Sequence, residues 1–245
     1  MKKTEYARMA QREKDYWWHL GRLRIIEAQI KQVAKNRKDL KILNVGCGTG
    51  GTIRMLEQFG DVDNVDISDD AIKFMKKAGF EKIHKVDGIK LPFKDNTFDM
   101  VGAFDVLEHI DTDEAALKEW RRVLKPGGAV VLSVPAYRFL WGDHDISLYH
   151  HRRYTRRELV RKATGAGLDK EVATYAIVFS LPLIVGFRMF NKLSGRKTDS
   201  ETSYVEVPKF INSLFTWLLY VEAFFHRYIT FPFGTSVMAI LRKKN

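Results

Sequence analysis

Residues 41–51 read Lys-Ile-Leu-Asn-Val-Gly-Cys-Gly-Thr-Gly-Gly, and this stretch decides the fold. The apolar run at 42–45 predicts a buried strand, and residues 52–59 predict a helix. The turn between them carries three glycines, Gly46, Gly48 and Gly50. Without side chains there, backbone N–H groups can approach a ligand closely at a helix N-terminus. The pattern predicts an open α/β sheet that holds a nucleotide-like cofactor at the carboxyl ends of its strands.

An acidic residue ends the next predicted strand, residues 63–67. Asp66 lies 20 residues after Gly46, and a carboxylate at this place can accept hydrogen bonds from both hydroxyls of a ribose. NAD and S-adenosylmethionine both contain a ribose, so these residues leave both cofactors open. The alternative role for Asp66 is to cap the following helix, but that role is assigned to Ser68 or Asp69.

The later motifs separate the two cofactors. In chain order they are Asp87-Gly88 after a predicted strand at 81–86, Phe98-Asp99 at the start of a fourth strand, Val106-Leu107-Glu108-His109 after it, and Leu124-Lys125-Pro126-Gly127-Gly128 before a fifth strand. With the glycine turn and Asp66, they make residues 40–170 resemble the class I S-adenosylmethionine-dependent methyltransferases, in particular the small-molecule branch that includes quinone-biosynthesis enzymes. The resemblance implies a Rossmann-like α/β fold: a seven-stranded sheet with helices on both faces and an antiparallel last strand.

The resemblance also implies the cofactor, S-adenosyl-L-methionine, and its product, S-adenosyl-L-homocysteine. It implies that Asp87 binds the adenine amino group with the N–H of Gly88 nearby, and that Asp66 holds the ribose. The ammonium of the cofactor is expected to find acceptors at residues 44–46 and near Phe104 or Asp105. The full set of expected cofactor-binding residues is Asn44, Gly46, Cys47, Gly48, Gly50, Asp66, Ile67, Asp87, Gly88, Phe104, Asp105, Val106, His109 and Trp17. Cys47 is interpreted as a small packing residue and not as a nucleophile.

Residues 1–38 are predicted to form an N-terminal helical lid on the core. The segment Tyr16-Trp17-Trp18-His19, followed by Arg22 and Arg24, resembles the N-terminal signature of a subgroup from bacteria and archaea associated with glycan or lipid pathways. Two interpretations stay open. The aromatic residues either pack one helix face against the core, or Trp17 covers the sulfonium and excludes water.

The segment after the fifth strand is rich in histidine, arginine and aromatic residues, and in this fold it usually binds substrate. The predicted substrate-binding residues are Tyr137, Arg138, Trp141, His144, His151, Arg152, Arg153 and Tyr154. A hydroxyl acceptor would need a base with a pKa near neutral, for which His144 or His109 is the candidate. A carboxylate or phosphate acceptor would need cations, for which Arg152 and Arg153 are the candidates. The alternative is a surface loop whose arginines pair with Asp143, Asp145 and Glu158.

The predicted sixth and seventh strands, 171–179 and 236–242, are joined by a long apolar connection. The predicted organisation is therefore a core of residues 39–180 and 235–245 with a helical insertion at 181–234. The insertion includes an apolar helix at 210–225 and a polar loop at 194–203. No run is convincing as a membrane span. An in-plane hairpin is expected, with cations facing anionic headgroups, namely Lys192, Arg196, Lys197 and Lys209. A buried core or a dimer interface is the rival interpretation, and the oligomeric state stays open.

Composition sets wider limits. The formal charge of +11 is concentrated in residues 1–41, with 12 Lys or Arg against 5 Asp or Glu, and in residues 138–162, with 7 against 3; such a field attracts anionic membranes, nucleic acid or phosphorylated substrates. One cysteine excludes an internal disulfide, and the seven histidines show no spacing typical of a metal site, so no metal is predicted. Residues 1–18 contain no apolar core of a cleaved signal. A cytoplasmic location follows, with peripheral contact on the inner face of the cell membrane as a hypothesis.

These observations favour a methyltransferase that acts on an oxygen of a small or lipid-linked acceptor, of the glycan or polyprenyl-phosphate type. A quinone or aromatic small-molecule methyltransferase is the second hypothesis. The third is a nucleic-acid-binding module on a methyltransferase scaffold. Nucleic acid is not the expected partner, because the basic residues form no recognisable nucleic-acid motif and the cofactor residues look intact.

Overall fold

A seven-stranded mixed sheet organises the chain in the computed structural model, which describes residues 3–186 and 207–244. The strand order is β3-β2-β1-β4-β5-β7-β6. The antiparallel strand β7 lies between β5 and β6, and the other described pairings are parallel. The predicted fold class is confirmed. The strands are β1 (Leu40–Val45), β2 (Gly60–Asp66), β3 (Ile83–Lys85), β4 (Phe98–Phe104), β5 (Leu124–Pro135), β6 (Leu168–Ala176) and β7 (Ser236–Lys243).

Helices cover both faces of this sheet. They are α1 (Lys3–Asp15), α2 (Trp17–Ala34), α3 (Ile53–Leu56), α4 (Asp69–Lys77), α5 (Asp113–Val123), α6 (Asp143–Ser147), α7 (Arg156–Gly165), α8, whose described part is residues 180–186, and α9 (Lys209–Phe225). Two helix starts are fixed by side chains, as the sequence predicts. Ser68 Oγ accepts a hydrogen bond from the Ala71 N–H at 3.4 Å, and Thr155 Oγ1 accepts one from the Glu158 N–H at 3.2 Å.

The core has two layers because both faces of β5 are buried. Val130 faces the layer that contains Trp120 of α5, and Val131 faces the layer that contains Ile26 of α2 and Leu219 of α9. A central strand covered on both sides needs apolar residues in succession, not in alternation. This explains why residues 129–134 read as a nearly unbroken apolar run.

Strand β6 ends three residues earlier than predicted, at Ala176, and the cause lies far away in the sequence. Ile177 has a left-handed φ of 59°. The N–H groups of Ile177 and Val178 donate to the buried Glu222 carboxylate of α9 at 2.6 and 2.9 Å. These bonds direct the chain out of the sheet. The predicted strand at 81–86 and helix at 52–59 are also shorter in the structure, as β3 and α3.

The apolar helix predicted in the insertion is α9, and it packs along α2. Asn212 joins their ends, because its Oδ1 accepts from the Trp17 N–H at 2.9 Å and its Nδ2 donates to the Asp15 carbonyl at 2.8 Å. The N-terminal segment forms two helices, α1 and α2, and residues 187–206 lie outside the described residues. The predicted loop at 194–203 and three of the predicted headgroup-facing cations, Lys192, Arg196 and Lys197, therefore fall outside them too. None of the described helices is long and apolar enough to cross a bilayer.

The α2–α9 contact depends on a missing side chain, which makes it testable. A Cβ at Gly21 would lie 2.1 Å from Leu219 Cδ1. Gly21→Ala should therefore lower the free energy of unfolding by about 1–3 kcal/mol through overpacking, although Ala is the better helix former by about 1 kcal/mol. Urea unfolding measures the difference. Gly165→Ala at the end of α7, where a Cβ meets nothing within 4 Å, is the control and should be neutral or stabilising.

Candidate cofactor and acceptor site

The glycine turn after β1 is held against the end of β2. The N–H groups of Gly46 and Cys47 donate to the Val65 carbonyl at 2.8 and 3.3 Å, and the N–H of Gly48 donates to Asp66 Oδ2 at 2.9 Å. Gly46 has φ +68°, and a Cβ there would lie 2.4 Å from Val106 Cγ2. The missing side chain at Gly46 thus allows the loop after β4 to approach the turn.

The glycine two residues later serves a different purpose. Gly48 has φ +52°, and a Cβ there would meet nothing within 4 Å. Open space therefore lies beside the turn at the position where a ligand is expected. Gly50, with φ +88°, lies instead against the Phe80 ring, 2.9 Å from its would-be Cβ, so its role is packing.

The predicted ribose and adenine residues lie at the ends of the neighbouring strands β2 and β3. Asp66 is oriented by two backbone N–H groups, those of Gly48 and Ser68, each at 2.9 Å. Asp87 is exposed, and its Oδ1 accepts from the Ile89 N–H at 3.1 Å. Each carboxylate therefore has a fixed orientation and keeps lone pairs for a ligand.

Two further contacts shape this part of the site. Ile67 is 67% exposed although it is large and apolar, so it presents a face on which a planar base can pack. The carbonyl of Gly88 accepts from the indole Nε1 of Trp120 at 2.9 Å, which fixes the loop after β3 on helix α5.

Two residues expected in the cofactor set are deeply buried. The Asn44 amide donates to Asn64 Oδ1 at 3.0 Å, so its side chain ties β1 to β2. Cys47 is 4% exposed, and its Sγ donates to the Val65 carbonyl at 3.4 Å. Burial raises the pKa of the Cys47 thiol, and the nearby Asp66 raises it further. The thiol is therefore neutral, in agreement with its interpretation as a packing residue.

An acidic group also lies at the end of β4, where helix α2 meets the sheet. Asp105 has a left-handed φ of 57°, uncommon for a residue with a side chain and often found at functional sites. Its Oδ1 accepts from Ser133 Oγ at 2.9 Å, and its Oδ2 lies 2.6 Å from Arg22 Nε. Phe104, directly before it, is buried in the core below.

The two tryptophans at the start of α2 lie in different surroundings. The Trp17 ring lies against Phe179 and Phe215, with ring centroids 5.6 and 5.2 Å away. Trp18 lies instead beside the Arg22 guanidinium, which is 5.3 Å from its ring centroid. The role of Trp17 over the sulfonium stays a prediction, and its described ring contacts lie toward α8 and α9.

Helix α1 reaches the glycine turn itself, which no sequence pattern indicates. Thr49 Oγ1 donates to the Glu13 carboxylate, and a Cβ at Gly51 would lie 2.6 Å from the same carboxylate. Burial raises the pKa of Glu13, while the Thr49 bond partly offsets this. The first helix thus covers one side of the turn through a polar contact.

The segment after β5 is organised around the buried Asp145. Its carboxylate accepts from the Gly142 N–H at 2.8 Å, contacts His150 Nδ1 at 2.9 Å and accepts from Arg153 Nε at 2.7 Å. Burial alone would raise the pKa of Asp145, but the hydrogen bonds with His150 and Arg153 outweigh it and hold the pKa well below its usual value. Arg153 also donates to the Ala136 carbonyl, so its described contacts hold the loop in place.

Arg152 and Tyr154 share a second carboxylate. Arg152 lies 3.1 Å from an Asp111 oxygen and 3.0 Å from an Asp113 oxygen. The Tyr154 hydroxyl donates to Asp113 Oδ2 at 2.8 Å, and its side chain is completely buried. Predicted as substrate-binding, Tyr154 thus lies in the core, where the bridge between Ala136 and Tyr154 carries the loop back onto the sheet.

The remaining predicted acceptor residues also belong to the segment after β5. Tyr137 stacks on Tyr175 with ring centroids 4.9 Å apart, and the Trp141 N–H donates to the Arg138 carbonyl at 3.0 Å. Arg138 and His151 are exposed.

The predicted catalytic histidines both approach His150, which the sequence does not single out. Ring centroids of His109 and His150 are 4.7 Å apart, and those of His144 and His150 are 6.2 Å apart. Desolvation and the neighbouring His150 lower the pKa of His109 to about 4, and the same two causes lower the pKa of His144. Both imidazoles are therefore neutral near pH 7, and the pKa of His109 lies well below the near-neutral value that suits a general base.

A glycine turn facing open space, beside carboxylates at successive strand ends, is the arrangement expected of a class I S-adenosylmethionine-dependent methyltransferase domain. Residues 43–132 match the family model described as a methyltransferase domain. The demethylmenaquinone methyltransferase of Staphylococcus aureus is 40% identical over 112 residues, which cover 41% of this chain and 46% of that protein. Norajmaline N-methyltransferase of Rauvolfia serpentina is 33% identical over 116 residues, which cover 43% and 39%.

The fold likeness extends beyond the matched domain. An S-adenosylmethionine-dependent methyltransferase from Thermotoga maritima has a TM-score of 0.58 at 18% identity, covering 98% of both chains. In contrast, the aligned residues span less than half the length of the curated relatives. The chain thus carries a methyltransferase domain of this class, whose cofactor is S-adenosylmethionine.

The residues at the sheet edge fit this cofactor. Asp66 and Asp87 offer acceptors for ribose hydroxyls and an adenine amino group, and Asp105 offers a carboxylate to an ammonium. Bound here, the cofactor supplies an electrophilic methyl group on its sulfonium. The chain's own contribution is to bind and orient it, with Glu13 and Arg22 bringing the N-terminal helices over the same edge.

Carboxylates at opposite ends of β2 allow a matched test of the cofactor site. Asp87→Ala and Asp66→Ala should each raise the Kd for S-adenosylmethionine at least about tenfold, since a hydrogen bond to a charged group contributes about 1.5–3 kcal/mol. Asp61→Ala, at the other end of β2, should leave it unchanged. Isothermal titration calorimetry measures all three. Unchanged binding by folded Asp87→Ala and Asp66→Ala would contradict the assignment.

Proposed function

We propose that this chain methylates an oxygen of a lipid-linked acceptor at a membrane surface, with S-adenosylmethionine as donor. The observation that carries the membrane part is an outward line of large apolar side chains on and just after α9. The observation that carries the oxygen part is the neutral imidazole of His144 in the predicted acceptor loop.

The outward line of α9 follows the helical period. Its members are Phe210, Leu214, Trp217, Val221, Phe224 and Tyr228, at spacings of three and four residues. Phe210 is 73% exposed, Trp217 59% and Tyr228 65%. We call this set the α9 apolar face. Soluble proteins rarely expose so many large apolar side chains together without a binding partner.

Charge favours a lipid occupant for the α9 apolar face. Lys209 and Arg227 are exposed near its two ends, and the chain carries a formal charge of +11. Cations beside an apolar helix face are typical of helices that lie in the interface of an anionic membrane. The exposed side chains of Leu183 and Phe233 add apolar surface on neighbouring segments.

The α9 apolar face belongs to the structural unit that covers the cofactor edge. The opposite side of α9 packs on α2, and α2 brings Arg22 to Asp105 at the end of β4. A lipid-linked acceptor held at this surface would therefore contact the same pair of helices that reaches the cofactor edge. Orientation of acceptor and donor accounts for much of the acceleration in such a transfer.

The contacts of the loop favour a hydroxyl acceptor over a phosphate. Arg152 is engaged by Asp113, and Arg153 by Asp145, so neither guanidinium is without a carboxylate. Desolvation lowers the pKa of His144, so its imidazole is neutral near pH 7 and available as the base, whereas the pKa of His109, about 4, is too low for an efficient one. A hydroxyl needs such a base, because it must lose its proton as it is methylated.

A quinone-type acceptor is the second candidate. It is favoured by the 40% identity to a protein named demethylmenaquinone methyltransferase. Such acceptors are also apolar, so the two candidates share a membrane surface and differ in the atom that receives the methyl group. Whether the labelled product contains a new methyl ether or a ring C–methyl group distinguishes them.

Membrane binding can be tested with vesicles of defined charge. The wild-type chain should bind vesicles that contain phosphatidylglycerol more tightly than neutral ones in co-sedimentation. Trp217→Ser with Phe224→Ser should weaken binding at least about tenfold, since burying each such side chain contributes about 1.5–3 kcal/mol. Ile146→Ser removes an exposed apolar side chain on α6 and serves as control. A lack of vesicle binding, with dimers that the double variant dissociates, would assign the face to a second copy of the chain.

The base can be tested with methyl-labelled S-adenosylmethionine and a membrane-lipid extract as acceptor. His144→Ala should lower label transfer by about 10²-fold, the magnitude usual for loss of a general base, while the Kd for S-adenosylmethionine stays unchanged. In the wild type, transfer should fall only below pH 6.5, because the lowered pKa keeps His144 neutral above that pH. Wild-type rates in the variant would remove His144 from the chemistry.

A further inference from the structure

Glu108 is a buried carboxylate that has no partner in the part of the chain that the structure describes. It is 0% exposed, and neither oxygen makes a hydrogen bond there. The neighbouring Asp105 lies 2.6 Å from Arg22, and Asp145, which contacts His150, lies 2.7 Å from Arg153. An unpaired buried charge costs several kcal/mol. Glu108 must therefore bind either a proton or a cation.

Two imidazoles lie beside this carboxylate. A Glu108 oxygen, a ring nitrogen of His109 and a ring nitrogen of His150 all lie within 4.8 Å of one another. A backbone bond holds the two segments together, because the N–H of His151 donates to the Glu108 carbonyl at 2.8 Å. The sequence predicts no metal site here because His150 lies 42 residues after Glu108, and only the folded loop brings it close.

The orientation of His150 is fixed by a second carboxylate. Its Nδ1 lies 2.9 Å from Asp145 Oδ1. An ionised Asp145 can only accept, so Nδ1 carries the proton and Nε2 keeps a free lone pair. A carboxylate behind a histidine is the arrangement that orients metal-ligating imidazoles in proteins and raises their basicity.

We propose that Glu108, His109 and His150 bind a divalent transition-metal ion of the Zn²⁺ type. Two imidazoles and one carboxylate are ligands that Zn²⁺ accepts, and three protein ligands leave one tetrahedral position open. A tetrahedral ion with bonds of about 2.0–2.2 Å holds its ligand atoms roughly 3.5 Å apart, so the side chains need to close by only about 1 Å. The charge of the ion would replace the missing partner of Glu108. His109 would then serve as a ligand, which leaves His144 as the candidate base.

Titration of the metal-free chain with Zn²⁺ and Co²⁺ salts tests the site. Calorimetry should give one ion per chain with a Kd in the micromolar range or tighter, and bound Co²⁺ should show the intense visible absorption of low coordination number. Glu108→Gln and His150→Ala should each weaken binding at least about tenfold. His84→Ala, which removes a histidine also beside a carboxylate (3.4 Å from Asp63), should bind as the wild type does.

Thermal unfolding keeps the test valid if a variant is less stable. Zn²⁺ should raise the Tm of the wild type, and the rise should be absent in folded His150→Ala. The proposal is overturned if the wild type binds no ion below millimolar concentration, if Glu108→Gln and His150→Ala bind as tightly as the wild type, or if His84→Ala abolishes binding. In the first case Glu108 carries a proton. None of these readouts depends on methyl transfer.

Discussion

The close approach between Gly46 and Val106 is the constraint on which the rest of the site depends. A side chain at Gly46 would collide with Val106 at 2.4 Å, so the loop after β4 can lie beside the cofactor turn only because that position is glycine. The same loop carries Asp105, Glu108 and His109. Because Gly46 has no Cβ, the loop with these acidic and imidazole groups can lie directly beside the cofactor edge.

Local chemistry made much of the fold predictable, and long-range pairing accounts for what was missed. Ser68 and Thr155 cap helices, and a few adjacent residues are enough to predict where these helices begin. The apolar runs predict the strands. Glu222 ends β6 by accepting hydrogen bonds from residues that precede it by 45 and 44 positions in the sequence. Glu13 accepts a hydrogen bond from Thr49, which follows it by 36 positions. Such bonds have no periodicity or spacing that a single sequence could reveal.

The same distinction applies to the candidate site. Asp66 and Asp87 lie at strand ends, as expected, because parallel strands bring their carboxyl ends to one edge. The arginines of the acceptor loop could not be assigned from the sequence, since free and paired guanidinium groups look alike there. In the structure Arg152 pairs with Asp113, and Arg153 pairs with Asp145. Because both guanidinium groups already have a carboxylate, a role in binding an anionic acceptor is less favoured than proton removal by a histidine.

Helix α9 shows why an apolar helix need not be wholly buried. Its inward side places Leu219 and Ala223 in the core beneath α2, and Glu222 on that side binds the end of β6. These contacts fix α9 firmly, so the outward aromatic residues are held exposed and cannot turn inward. A face presented so rigidly, with cations at its ends, loses little conformational entropy when a lipid surface covers it. The helix thus stabilises the fold with one side and keeps the other available for binding.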